Sequence, residues 1–260
     1  MNHSMPLPAD IRFMQATTAL LLLGFVALVL AMALLWCVRL PLFAIGRLSL
    51  QGEVMHVNEV TVRANVVPQL SGGLFGLDLK AARQAFEALP WVRRAVVRRE
   101  FPNGLRVQLQ EHHAVAFWGP EDEPALLNNF GEVFEANVGE VDADNLPRLD
   151  GPSNRAAEVL LMYQQLRPQL ALLDFGIDVL ELSNRGAWRM QLDNGAVVEL
   201  GTGSAAEIHA RIDRFVHSVT QVAARHGRRT TALESADLRY AQGYALKLQG
   251  IGTVSGQSGK

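Results

Sequence analysis

The sequence predicts an α+β protein with a single N-terminal transmembrane helix. A small β-α-α-β-β domain follows, and then a second α+β domain built on an antiparallel sheet with an open C-terminal edge. Three observations predict this. Phe13–Val38 contains no charged side chain. Beyond Pro41 the apolar run gives way to short alternating segments and amphipathic stretches. The last patterned segments, Ala236–Tyr240 and Tyr244–Leu248, read as a strand pair with no later strand pattern to cover it.

The apolar run comes first. As a helix rising ~1.5 Å per residue it spans ~39 Å, more than the ~30 Å hydrocarbon core requires. Trp36 and Arg39 stand at its far end, where an amphipathic ring and a snorkelling cation suit the headgroup layer. A cleaved signal peptide has an apolar region of only ~7–15 residues and small residues at its cleavage site. Trp36-Cys37-Val38-Arg39 offers no such site, so an uncleaved anchor is expected. Charge leaves its orientation open, because Arg12 is offset by Asp10 on one side while Arg39 and Arg47 follow on the other. The single Cys, inside the span, leaves no thiol in the soluble part and is compatible with an oxidising compartment. A net charge of −2 argues against a general nucleic-acid binder.

Arg47–Gln51 reads as a strand. Asn58 caps a helix through Val67, with Glu59 in its first turn. Ser71-Gly72-Gly73 breaks the chain, and Asp78 caps a second helix whose Leu79, Ala82, Phe86 and Leu89 share one face before Pro90 ends it. Val92–Arg99 and Leu105–Gln110 are strands joined by the turn signal Pro102-Asn103-Gly104.

A second unit starts near Ala114. Ala125–Leu127 and Glu132–Glu135 flank a hairpin at Asn128–Gly131. A helix over 153–173 is expected to bend or break at Pro168. Ile177–Leu182, Trp188–Leu192 and Val197–Leu200 form an antiparallel meander with Asp193-Asn194-Gly195 as its tightest turn. Ser204 and Glu207 make a capping box. The helix it opens runs to His226 with a core stripe of Ile208, Ile212, Phe215, Val219 and Val222.

Candidate chemistry is sparse. Gly201–Ala206 matches G-x-G-x-x-A between a strand and a helix, the pattern that brings backbone close to a pyrophosphate. The strand before it is reached through a hairpin and so pairs antiparallel, whereas the fingerprint needs a parallel β-α-β unit, and no acidic residue lies near Gln221, ~20 positions on. A turn and a helix cap are the simpler reading. His112-His113, His209 and His217 make no recognised zinc spacing, there is no G-x-S-x-G nucleophile elbow, and Glu121-Asp122-Glu123 reads as a solvated loop. No cofactor, metal, small-molecule substrate or catalytic residue is expected. Arg93, Arg94, Arg98 and Arg99 can meet anionic headgroups or an acidic partner, or can simply keep a sheet soluble and blunt an edge.

Several of these segments together resemble one family. Leu89-Pro90-Trp91-Val92-Arg93-Arg94-Ala95-Val96-Val97-Arg98-Arg99 leads to Pro102-Asn103-Gly104-Leu105-Arg106-Val107, Glu111 and Ala114–Trp118. Asn128–Phe134, Leu146-Pro147, Gly151-Pro152, Trp188, Leu192–Gly195 and Asp237-Leu238-Arg239-Tyr240 then follow in order. The chain is similar to the FtsQ/DivIB family of bacterial cell-division proteins over nearly its whole length. The apolar run sets a transmembrane helix at 16–38 after a short tail at 1–15, and the Gly/Ser/Gln-rich residues 251–260 read as a disordered tail; the resemblance implies that the 1–15 tail is cytoplasmic, with a POTRA domain at 42–113 and a so-called β domain at 114–250. It implies an N-in, single-pass inner-membrane protein with both folded domains in the periplasm, acting at the septum as a non-enzymatic scaffold. Its partners would be FtsB-like and FtsL-like proteins, with a septal cell-wall synthase and an FtsK-like protein as wider associates. Carried onto this chain, the partner-binding residues are Arg185, Arg239, Tyr240, Gln242, Gly243, Tyr244 and Leu246. Ala241 and Tyr244 depart from the small or acidic residues expected after the Arg-Tyr pair, so side-chain selectivity differs even where the strand-pairing surface is kept. A membrane-anchored chaperone working by strand addition and a tethered envelope enzyme using Gly201–Ala206 are the other readings. An antiparallel second sheet with an open terminal strand would exclude the enzyme.

Overall fold

The computed structural model describes residues 9–38, 45–52, 54–70, 73–142, 146–240 and 243–250. Residues 1–8, Gln242 and residues 251–260, on which some of the expectations fall, lie outside the described residues.

Helix α1 (Ala9–Val38) takes in the apolar run and begins four residues before it. Leu20, Leu21, Leu22 and Leu23 are all exposed, and at ~100° per residue four consecutive positions sample every side of a helix. The hydroxyls of Thr17 and Thr18 donate to the Met14 carbonyl at 3.0 and 2.7 Å, which satisfies polar groups within the apolar surface. Among the described residues no helix is long and apolar enough to cross a membrane; side chains are described without a break only over residues 17–33, while the helical backbone runs further.

The rest divides into two compact units meeting between Glu111 and His112. In the first, β1 (Arg47–Gln51) leads to α2 (Glu59–Asn65), α3 (Gly73–Gly76), α4 (Leu79–Glu87), β2 (Val92–Glu100) and β3 (Gly104–Glu111). The caps fall where the sequence puts them: Asn58 accepts from Thr61 N–H, and Asp78 from Lys80 and Ala81 N–H. The one-turn α3 occupies part of the expected break; Gly73 enters it at φ +67°, a backbone region that favours glycine. The sheet order is β1-β3-β2, with β1 parallel and β2 antiparallel to β3. Leu74, Leu77, Ala82 and Leu105 form a core against which Leu48, Leu79 and Val97 pack.

The second unit contains β4 (Ala114–Trp118), β5 (Ala125–Asn128), β6 (Val133–Phe134), β7 (Arg148–Asp150), α5 (Ala156–Ala171), β8 (Ile177–Leu182), β9 (Ala187–Leu192), β10 (Val197–Thr202), α6 (Ala205–Arg225), β11 (Leu233–Asp237) and β12 (Ala245–Leu248). Together they make one nine-stranded sheet of order β12-β11-β10-β9-β8-β7-β4-β5-β6.

The sheet is mixed, which corrects the expected antiparallel one. β4–β7, β7–β8 and β10–β11 are parallel pairs. For two of these pairs the physical reason is the helices: α5 returns the chain from β7 to β8 and α6 from β10 to β11, and a helical crossover delivers the next strand in the same direction. Pro168 does not break α5, which continues through it to Ala171. The stripe of α6 also differs at one position, since Val222 is half-buried and Ala223 with Val216 completes the buried face. Ile208, Ile212, Phe215 and Val219 meet Leu180, Met190, Leu192 and Val198 in the core.

Candidate functional site

The open side of the second sheet sets the site. β12 pairs antiparallel with β11, Ala236 opposite Leu246 and Asp237 opposite Ala245. It is the terminal strand of the order, so among the described residues no strand covers its other side. In an antiparallel ladder alternate residues turn their N–H and C=O groups to the same neighbour, leaving the others outward. The opposite edge, β6, has two residues against four in β12 and is too short to template an added strand. Lys247, an edge-strand cation, is paired with Glu234 at 2.6 Å.

Because β10 and β11 are parallel and β9 is antiparallel to β10, the turn before β9, the end of β10 and the end of β11 share one end of the sheet. That end gathers most of the sequence-predicted residues. Arg185 is exposed in the turn before β9. Arg239 lies just beyond β11, its aliphatic stem across Gly201: a Cβ built there would stand 2.8 Å from Arg239 Cγ. Its Nε and Nη2 donate to the Asp237 carboxylate at 2.8 and 2.6 Å. These hydrogen bonds hold the Asp237 carboxyl below the usual carboxylate range and raise the guanidinium. Arg239 therefore already has a carboxylate, although a guanidinium carries five N–H donors and retains some for a partner. Tyr240 follows and is 58 % exposed. Gly243 and Leu246 are half-buried.

Tyr244 behaves differently from Tyr240. Its ring stands edge-on to Phe215 with centroids 5.5 Å apart, and its hydroxyl meets Ser218 Oγ at 2.6 Å. It belongs to the packing between β12 and α6, with one side lining a groove of about 490 Å³ bounded by Arg214, Ser218, Val222, His226, Gly243 and Leu246. Arg214, Ser218, Val222 and His226 recur every fourth residue, the spacing of one helix face. Sequence reasoning missed them as a set, although the i+4 stripe is visible once α6 is assigned.

The four arginines of β2 do not form one patch. Arg99 turns inward, donating to the carbonyls of Leu74 at 2.6 Å and Leu77 at 2.8 Å and so capping the exit of α3. Arg93 reaches Gln110. Arg94 and Arg98 are exposed.

Gly201–Ala206 sits at the start of a parallel β10-α6-β11 crossover, so the topological objection to a nucleotide loop is overturned. What fills the helix N-terminus is an internal carboxylate. Glu207 accepts from Ser204 N–H at 2.7 Å, while Ser204 Oγ accepts from Glu207 N–H, completing the capping box. Bonding to Ser204, from its backbone and then its hydroxyl, keeps the Glu207 carboxyl below its ordinary value. A phosphate would have to displace that anion. Among the described residues no three His, Cys, Asp or Glu side chains are placed to hold a metal.

Residues 116–239 match the model of the C-terminal domain of cell-division protein FtsQ/DivIB, and residues 43–112 match the FtsQ-type POTRA domain. The cell-division protein FtsQ of Thiomonas arsenitoxydans is 37% identical over 247 residues, covering 94% of this chain and 90% of the relative. The chain belongs to the FtsQ/DivIB family of cell-division proteins. The FtsQ proteins of Burkholderia pseudomallei (40% identical, 83% of this chain and 84% of the relative) and Bordetella pertussis (36%, 86% of each) are similar over nearly as much. The first unit is thus an FtsQ-type POTRA domain and the second the FtsQ/DivIB C-terminal domain.

Proposed function

We propose that this family member is an inner-membrane scaffold of the division septum that captures FtsB-like and FtsL-like proteins along β12 and so links early and late septal components, a septal cell-wall synthase and an FtsK-like protein among them. α1 is its single anchor, with the N-terminus cytoplasmic and both folded units periplasmic. A helix apolar on all sides has no aqueous face to offer and is suited to lipid.

The observation that carries the proposal is the open β12 edge beside an exposed Tyr240. An extended partner segment adding to β12 gains backbone hydrogen bonds, and the groove against α6 supplies side-chain selectivity. Arg185, Arg239, Tyr240, Gln242, Gly243, Tyr244 and Leu246 are the proposed partner-facing set, with Tyr240 as the aromatic anchor. The test is binding of the host's FtsB-like and FtsL-like proteins to the full chain in lipid nanodiscs. Tyr240→Ala should weaken capture by ~2 kcal/mol, about 30-fold, without changing the melting temperature. A folded Tyr240→Ala protein that binds both partners with wild-type affinity would place the site elsewhere.

A further inference from the structure

One end of the POTRA sheet carries a second surface, on the first unit, whereas β12 belongs to the second. Phe101, at the β2–β3 turn, is 66 % exposed, and Phe75 of α3 is 44 % exposed. Their rings lie 5.9 Å apart, so two large apolar groups share one exposed spot. Single exposed hydrophobics need no explanation; two aromatics side by side at a turn tip make a small contiguous apolar patch.

The same end is basic. On the open face of the sheet Arg98 stands directly opposite Arg106 across the β2–β3 ladder. Like charges so placed repel. Glu100 neutralises Arg106, whereas Arg98 has no carboxylate partner among the described residues. Arg47 is exposed at the start of β1. Of the nearby acids, Glu100 is taken up by Arg106, and Asp78 is turned to the N–H groups at the start of α4. An anion arriving from outside would supply Arg98 with the counter-charge that Arg106 already has.

Chain length says which anion is near. The N–H groups of Gly46 and Arg47 both donate to the Asn103 carbonyl, at 2.9 and 3.3 Å, fixing the start of β1 to this turn. Eight residues separate Arg47 from the end of α1 at Val38, and those nine Cα-to-Cα steps reach at most ~32 Å. If α1 is the anchor, the turn is tethered within that distance of the bilayer. Aromatic rings and arginines are the side chains that suit a headgroup layer of anionic lipid.

We infer that the β2–β3 turn is a membrane foot: Phe75 and Phe101 enter the headgroup layer of the anchoring bilayer, and Arg47 and Arg98 meet its anionic phosphates. This rests on the anchor reading above. It would fix the distance between the POTRA unit and the membrane rather than leave that unit swinging on its linker.

The test uses the full chain with Cys37→Ala, reconstituted in nanodiscs whose lipids carry a nitroxide at the headgroup. A bimane label is attached at Asn103→Cys, by the turn, or at Gln110→Cys, at the other end of the same strand. In discs rich in phosphatidylglycerol the label at 103 should be quenched several-fold more than the label at 110. The difference should shrink in pure phosphatidylcholine or with Arg47→Glu and Arg98→Glu together, and vanish with Phe75→Ser and Phe101→Ser together. Trp fluorescence and melting of each variant confirm that it is folded. Equal quenching of the two labels in a chain that floats with vesicles overturns the foot alone. A chain that does not float with vesicles overturns the anchor, and the foot with it.

Discussion

Glu111 offers the sharpest test of how the POTRA unit is held together. Its carboxylate, 7 % exposed, accepts hydrogen bonds from the backbone N–H groups of Met55 (3.0 Å), His56 (3.1 Å) and Val57 (2.9 Å). It also lies 3.2 Å from His56 Nδ1, and the His56 ring stacks on Trp91 at 3.7 Å. One side chain at the end of β3 thus clasps the loop between β1 and α2. Hydrogen bonds to a charged group are worth ~1.5–3 kcal/mol each. The Met55 end of the loop is exposed, so its N–H is rehydrated when the clasp is removed. The remaining two bonds set the loss for Glu111→Ala at about 3 kcal/mol, and Glu111→Gln, which keeps one weaker acceptor, should lose about half as much. Burial pushes the Glu111 carboxyl up, but the N–H groups of Val57, His56 and Met55 outweigh it and hold the carboxyl below its ordinary value. A depressed folded pKa means stability that is present above the unfolded value of ~4.3 and lost as pH falls through the folded one. The gap between wild type and Glu111→Gln should therefore be constant near neutrality and shrink progressively as pH falls below the unfolded value of ~4.3. Urea unfolding of the full chain in nanodiscs, followed by tryptophan fluorescence, measures it; exchange of the amides of residues 55–57 reports the loop directly. An unchanged midpoint for Glu111→Gln at pH 7, or a gap that does not shrink on acidification, would refute the clasp.

Other expectations follow from the same geometry. Tyr244→Phe removes the 2.6 Å contact with Ser218 and should cost about 1 kcal/mol in urea unfolding while leaving partner capture far less affected than Tyr240→Ala does. Gly201→Ala, at φ +77° with Arg239 Cγ 2.8 Å from the new Cβ, and Gly203→Ala, at φ +147° with Glu207 Oε2 at 2.8 Å, should each lower stability by ~1 kcal/mol or more. Calorimetry should find no saturable NAD or ATP binding to the parent chain; micromolar binding lost in Gly203→Ala would overturn the scaffold reading. Arg99→Met gives up both bonds to the α3 carbonyls and should destabilise the POTRA unit by ~2 kcal/mol, seen as a lower urea midpoint.

What was legible in the sequence was local. The Pro102-Asn103-Gly104 and Asp193-Asn194-Gly195 turns, the caps at Asn58 and Asp78, and the Ser204–Glu207 box each place donor and acceptor within four residues, and each marks its element correctly. The three parallel pairs were not legible. Strands joined by a helix carry no turn signature between them, and β7, three residues long, is too short to show alternation. Reading β10 as antiparallel was half right: it is antiparallel to β9 and parallel to β11, and only the second neighbour bears on the glycine loop. That also removes sheet direction as a criterion against an enzyme and shifts the argument to the Glu207 carboxylate at the start of α6. The Glu111 clasp was invisible because its amides lie 54 to 56 positions earlier in the chain.

The two tyrosines near β12 show how the structure divides what composition leaves equal. In sequence Tyr240 and Tyr244 are both aromatic anchors beside an edge strand. In the fold Tyr244 spends its ring on Phe215 and its hydroxyl on Ser218, tying the edge to α6. A four-residue strand held on one side only is marginal by itself, and this tether keeps β12 in place while its outer side stays open. Tyr240, on the stretch that leads from β11 to β12, lacks such a seat and remains mostly exposed. Burying its exposed part against a partner would remove apolar area from water at ~25 cal/mol per Å². One tyrosine thus ties the edge to α6 while the other stays mostly exposed, and it is this difference on which the proposed capture at β12 draws.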